Sequence, residues 1–170
     1  MQKNLIEEIK DYLEIRPGIY TGGQPTPDQI KMLGELGFTI LINLATSASP
    51  DSLPNEQELA QAAGMAYVHI PVEWQAPTKG DLLKFFQMFE QHKGFKTFVH
   101  CAKNMRVSVF IYLYRVIAEN EDRQVCWEDV MNIWEPNEIW QKFIDQMLEE
   151  IQPPKNDRNW QFDWRGYSGL

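Results

Sequence analysis

The run from Phe38 to Leu44, read F-T-I-L-I-N-L, constrains the fold more than any other stretch of the chain. It is apolar almost throughout rather than alternating, so a strand formed there needs cover on both faces. Such strands belong to parallel sheets flanked by helices. The flanking patterns agree. Thr26-Pro27-Asp28 opens a helix, with Thr26 as N-cap and Pro27 in the first helical position; Ile30, Leu33 and Leu36 form its apolar side and Gly37 ends it. A polar loop over Ala45 to Leu53 leads to a helix over Pro54 to Ala63, stopped by Gly64, and then to a strand over Ala66 to Ile70. Thr78 caps a helix reaching about Gln91, and a further strand ends at Cys101. Helical spacing of Val107, Phe110, Ile111, Tyr114 and Ile117 predicts a helix from Met105 to Glu119, followed by helices over 127–134 and 136–150, the second started by Pro136. At the other end, Leu5, Ile6, Ile9, Tyr12 and Leu13 predict a helix over 3–13, with a turn and a short strand within Arg16 to Pro25. Strands alternating with helices predict an α/β layer fold: a central, mostly parallel sheet of about four to five strands with helices on both faces.

The chain's 170 residues suit one domain with a substantial core. The stretch from Gln152 to Leu170 has no period but carries Trp160, Phe162, Trp164 and Tyr167, too many aromatics for a free tail, and is expected to pack back on the domain. No apolar run approaches the roughly 18–20 residues of a membrane span, and no signal-like apolar core follows Met1, so the expected location is the cytoplasm, with no membrane partner. Two cysteines fit a reducing compartment. A net charge of −8 argues against nucleic acid as a partner. It also means that any anionic ligand must be captured by a local positive site rather than by the overall field.

One such site is written into Val99-His100-Cys101-Ala102-Lys103-Asn104-Met105-Arg106-Val107-Ser108. A cysteine ends an apolar strand, a short loop follows, and a strong helix begins. Free N–H groups and the positive end of the helix dipole gather at that turn, favouring an exposed, nucleophilic thiolate at Cys101 and offering an anion cradle. Arg106 adds a planar fork suited to oxyanions, although arginine in a first helical turn opposes the dipole. Cys126, between Val125 and Trp127, lacks any such context and reads as structural. Three scattered histidines and two cysteines give no metal-ligand spacing, and no cofactor fingerprint is present.

The His100-Cys101…Arg106 loop resembles the signature of the cysteine-dependent protein tyrosine and dual-specificity phosphatases, in which His-Cys is followed by five residues, Arg, and Ser or Thr. Two weaker anchors support the resemblance. Ile19-Tyr20-Thr21-Gly22-Gly23-Gln24-Pro25 looks like the segment opening small dual-specificity-like phosphatases and a related bacterial domain of unknown function, and Ile40-Leu41-Ile42-Asn43-Leu44 looks like their central strand. The chain departs from the pattern: only Ala102, Lys103, Asn104 and Met105 separate Cys101 from Arg106, the loop glycine is missing, and Val107 precedes the hydroxyl of Ser108.

The resemblance implies a phosphatase-like sheet, a metal-independent attack of Cys101 on a phosphomonoester of a protein or small molecule, and oxyanion binding by Arg106 with the amides of Ala102, Lys103, Asn104 and Met105. Ser108 is a candidate partner of the thiolate or leaving group, against the alternative that it bonds its own helix. His100 is expected to orient the loop through backbone. The family's general-acid aspartate falls on Trp74; Glu73 beside it is the candidate substitute, and Asp81 the runner-up. A loop one residue short keeps two other readings open. One is a rhodanese-like sulfurtransferase carrying a persulfide on Cys101. The other is an anion-binding module with impaired turnover.

Overall fold

The structure, a computed structural model, describes residues 5–151. Five strands form one sheet: β1 (Leu13–Arg16), β2 (Ile19–Gly22), β3 (Ile40–Asn43), β4 (Ala66–His69) and β5 (Thr97–His100), in the order β1-β2-β5-β3-β4. β1 is antiparallel to β2; every other pairing is parallel. The helices are α1 (Pro27–Glu35), α2 (Glu56–Ala62), α3 (Lys79–Gln91), α4 (Met105–Leu113), α5 (Arg123–Ile133) and α6 (Glu138–Glu150); α4 runs on through a π-helical turn, Tyr114–Ala118.

The two faces of β3 divide the core. Leu41 packs with Ile6, Ile9, Ile30, Leu33, Ala60 and Phe98, under α1 and α2. Ile40 and Ile42 face the larger cluster of Val99, Phe85, Phe86, Phe110, Trp140 and Phe143, under α3, α4 and α6. Burial of the strand on both faces is why its apolar residues do not alternate. Local signals set the helix starts. Thr26 and Gln29 form a reciprocal capping box before Pro27, and Thr78, Asp122 and Asn137 each accept the N–H three residues on.

Three expectations are corrected. The helix expected over 3–13 stops early: among the described residues only Leu5 and Ile6 are helical, turns run to Asp11, and Leu13–Arg16 is an edge strand. Ile6 and Ile9 do bury, but Leu13 pairs with Thr21, and Ile15 packs against the larger core, a period of two that the helical reading absorbed. The helix expected at 127–134 begins earlier, at Arg123, because Asp122 caps it, and the last helix begins at Glu138, capped by Asn137, not at Pro136. No helix among the described residues is long and apolar enough to cross a membrane. The stretch 152–170 lies outside the described residues.

Candidate active site at the carboxyl ends of the strands

Three loops meet where the parallel strands end: Leu44–Asn55 after β3, Ile70–Thr78 after β4, and Cys101–Asn104 after β5. This is the edge at which open α/β sheets hold their ligands. The loops enclose a cavity of about 460 Å³, lined by Ser49 from the first, Glu73 and Trp74 from the second, and Cys101, Ala102, Lys103, Met105 and Arg106 from the third and α4.

The cysteine loop is fixed from below. Gly23 lies so close to it that a β-carbon there would stand 2.6 Å from the Ala102 carbonyl oxygen, so only glycine fits. The Gln24 N–H donates to that same carbonyl at 3.2 Å. Asn104 takes the left-handed conformation, φ 62°, that glycine usually supplies, and its Nδ2 donates to the Asp11 carbonyl and to Thr21 Oγ1, both at 2.9 Å. Its side chain is thereby turned toward β1 and β2 and away from the cavity. The expectation of an exposed thiol is corrected: Cys101 is only 1% exposed, reached through the cavity and not from the open surface. An isolated antiparallel bridge between Lys103 and Gly23 ties the loop to the end of β2.

Arg106 is buried, 5% exposed. Its Nη1 donates to the Val72 carbonyl at 2.9 Å and its Nη2 to Ser49 Oγ at 3.2 Å, while its Nε has no partner among the described residues. The Val72 bond anchors one corner of the guanidinium. The opposite edge, Nε with Nη2, remains a side-on fork blocked only by one long bond to a serine hydroxyl. Trp74 packs beside it, its ring centre 6.0 Å from the guanidinium carbon.

The remaining expected residues separate. Glu73 is exposed and at the cavity rim, and exposed Lys103 lines the same opening. Asp81 lies in the first turn of α3 with its N–H on Thr78 Oγ1, and it does not line the cavity. Trp74, where the resemblance puts the aspartate, has no acidic proton to give; its ring packs 5.3 Å from that of Trp134 and 5.6 Å from that of Trp140, and Trp140 Nε1 donates to its carbonyl at 3.0 Å. Ser108 is placed away from the cavity: its hydroxyl donates to the Met105 carbonyl at 2.6 Å and accepts from Trp134 Nε1 at 3.0 Å. Cys126 is fully buried, and burial pushes its thiol up to about 11 despite Arg115 nearby.

Sequence reasoning did not single out the group beneath the loop. Glu56, 3% exposed, bonds Gln24 Nε2 at 2.5 Å and His100 Nε2 at 2.9 Å, and His100 Nδ1 lies 3.1 Å from the Cys101 carbonyl oxygen. Tyr67 adds a hydrogen bond to Glu56 and takes one from Asn43 Nδ2 at 3.0 Å. Burial alone would push the Glu56 carboxyl up. The hydrogen bond and charge of His100, with the bonds from Gln24 and Tyr67, outweigh it and hold the carboxyl below the usual range. In the sequence Glu56 looks like an ordinary acid in a first helical turn; Gln24 and His100, inside the segments carrying the resemblance, gave the signal, and His100 does meet the loop's backbone.

Comparison with known proteins agrees with this fold. A DUF442 protein from Shewanella putrefaciens CN-32 superposes with a TM-score of 0.79 at 32% identity, covering 90% of this chain and all of that one. The core catalytic domain of the PP-IP phosphatase SIW14 from S. cerevisiae, in complex with citrate, shares the fold at a TM-score of 0.68 and 17% identity, over 84% of this chain and 89% of that one. TpbA from P. aeruginosa, in complex with pTyr, does so at 0.64 and 12%, over 83% and 90%. Two beta-lactamase hydrolase-like proteins from Xylella fastidiosa strains Temecula1 and 9a5c are 28% identical over 108 residues, 62% of this chain; the chain spans about a quarter of their length. The family model for the DSP-PTPase phosphatase fused to NAD+ kinase matches residues 6–144, and the chain belongs to that family of phosphatase-like domains.

Proposed function

We propose that the chain hydrolyses a phosphomonoester through a thiophosphoryl intermediate on Cys101, without a metal. The observation that carries this reading is the juxtaposition, on one cavity, of a cysteine at a helix N-terminus and a buried arginine whose side-on edge is free at Nε. Cys101 Sγ attacks phosphorus, the bond from phosphorus to the leaving oxygen breaks, and Glu73 at the rim gives that oxygen its proton. Water then attacks the phosphoryl group, Glu73 takes back a proton, and the S–P bond breaks to release phosphate and the thiolate. Arg106 Nε and Nη2 hold two equatorial oxygens once Ser49 yields, with the amides of Ala102 to Arg106 on the others. The substrate is a phosphorylated side chain or small molecule. Two proteins of this fold hold anions, the SIW14 phosphatase domain citrate and TpbA pTyr, and the second of these is a phosphorylated side chain. A loop with four residues between Cys101 and Arg106 supplies one amide fewer than the usual five-residue loop, so turnover is slow.

Hydrolysis of p-nitrophenyl phosphate by the wild type and by Cys101→Ser tests the reading. Slow phosphate release by the wild type, lost in the variant, supports it. No release, together with sulfur transfer from thiosulfate to cyanide, replaces it with a persulfide on Cys101. Inactivity in both assays with retained vanadate binding reduces the site to an anion-binding one.

A further inference from the structure

We propose that Glu56 is a positioning residue that holds His100 as a doubly protonated imidazolium beneath the cysteine loop, charging the loop from inside the protein. His100 is fully buried, and both its ring nitrogens face acceptors: Nδ1 the Cys101 carbonyl oxygen at 3.1 Å, Nε2 the Glu56 Oε2 at 2.9 Å. A neutral imidazole has one N–H and can serve only one of them. Either the ring carries two protons, or the carboxyl carries the second.

The surroundings of Glu56 decide between the two. Gln24 Nε2 lies 3.1 Å from the Pro25 carbonyl oxygen, which can only accept, so the amide presents nitrogen, not oxygen, to Glu56 Oε1 at 2.5 Å. The Tyr67 hydroxyl accepts from Asn43 Nδ2, leaving its own proton for Glu56. Two donors besides His100 therefore converge on this carboxyl and stabilise its anion. Imidazole is also the stronger base by roughly two units in water. The shared proton sits on Nε2. The titratable groups facing the ring are Glu56 from α2, Tyr67 from β4 through Glu56, and Cys101 next to it in the chain; β2 and β3 present Gly22 and Asn43 across the ladder. The pair is neutral as a whole, but its cationic member is the one bonded to the cysteine loop, which favours the thiolate. This effect on chemistry rests on the phosphatase reading; the protonation state does not.

The test is long-range ¹H–¹⁵N NMR of the full chain labelled at its three histidines, assigned with His69→Gln and His92→Gln. At pH 8, both ring nitrogens of His100 are expected in the protonated range. A bare ring nitrogen on His100 in the folded wild type overturns the proposal, with no variant needed. In Glu56→Gln the ring is expected to carry one N–H, and alkylation of Cys101 by iodoacetamide at pH 6.5 to slow about tenfold. A folded Glu56→Gln protein with a doubly protonated His100 and wild-type alkylation also overturns it. A protonated ring in a chain that hydrolyses no phosphate ester sinks the proposed activity and leaves this inference standing.

Discussion

Helix α4 and its π-helical extension carry two buried arginines, and their surroundings differ in one respect. Arg115, 8% exposed, is enclosed by carboxylates: Glu121 at 3.0 Å and Asp129 at 2.5 Å, with Glu121 also held by Arg16. Arg106, 5% exposed, has no carboxylate partner among the described residues, only a carbonyl and a hydroxyl. A buried cation costs several kcal/mol in lost hydration unless it is paired. At Arg115 the chain supplies the anion itself. At Arg106 the described residues supply no anion and the side chain lines the cavity, which is why we propose that an anion binds there. The difference sets the proposed binding arginine apart from the ion-paired one where burial does not, since both are buried.

The sharpest break of that comparison is Arg106→Lys. An ammonium keeps the charge but not the fork, so affinity for vanadate is expected to fall about a hundredfold, read by calorimetry. Unchanged affinity would place the anion elsewhere. Glu73→Gln comes next. Turnover of alkyl phosphates should drop about ten- to a hundredfold, because a poor leaving group needs its proton, while aryl phosphates respond little. Equal loss in Asp81→Asn would transfer the acid's role to a residue that does not line the cavity.

Arg115→Met probes the other side of the comparison. It strands Glu121 and Asp129, whose side chains are 28% exposed and so partly relieved by water. Urea unfolding should show a loss of about 1–3 kcal/mol, with vanadate affinity and turnover unaltered. A change in anion binding would mean that the two arginines are coupled through α4.

The smallest effect is in the acid limb of stability. Glu56 is held below its unfolded value of roughly 4.3, by His100, Gln24 and Tyr67 acting against burial. Its contribution is therefore full above that value and lost as pH falls through the folded one. Thermal melts of the wild type should be steeper in this range than those of Glu56→Gln. Parallel acid limbs would show that the buried pair adds nothing to folding.

Features that depend on near neighbours were legible from residue order. The F-T-I-L-I-N-L run needed cover on both faces whatever surrounded it, and Thr26, Thr78 and the glycines at 37 and 64 mark ends within a turn of themselves. Cys101 and Arg106 share one loop and one helix turn, so their meeting at a cavity followed from a strand running into a helix. β1 was not legible, because Leu13 extends a helical spacing begun at Leu5 as readily as it starts an alternation with Ile15, and only pairing with β2 chose between the two. Nor was the direction of Ser108, decided by Trp134 from α5's far end, or the burial of Cys101 beneath three loops. The group under the cysteine loop joins Gln24, Glu56, Tyr67 and His100 from four separate elements. Glu56 and Tyr67 are unremarkable in their own segments. Sequence alone determined the layers and the turn that carries Cys101, since those rest on interactions within a few residues. Which polar groups share the space below that turn was decided by the order β2-β5-β3-β4, which brings distant segments within hydrogen-bonding range.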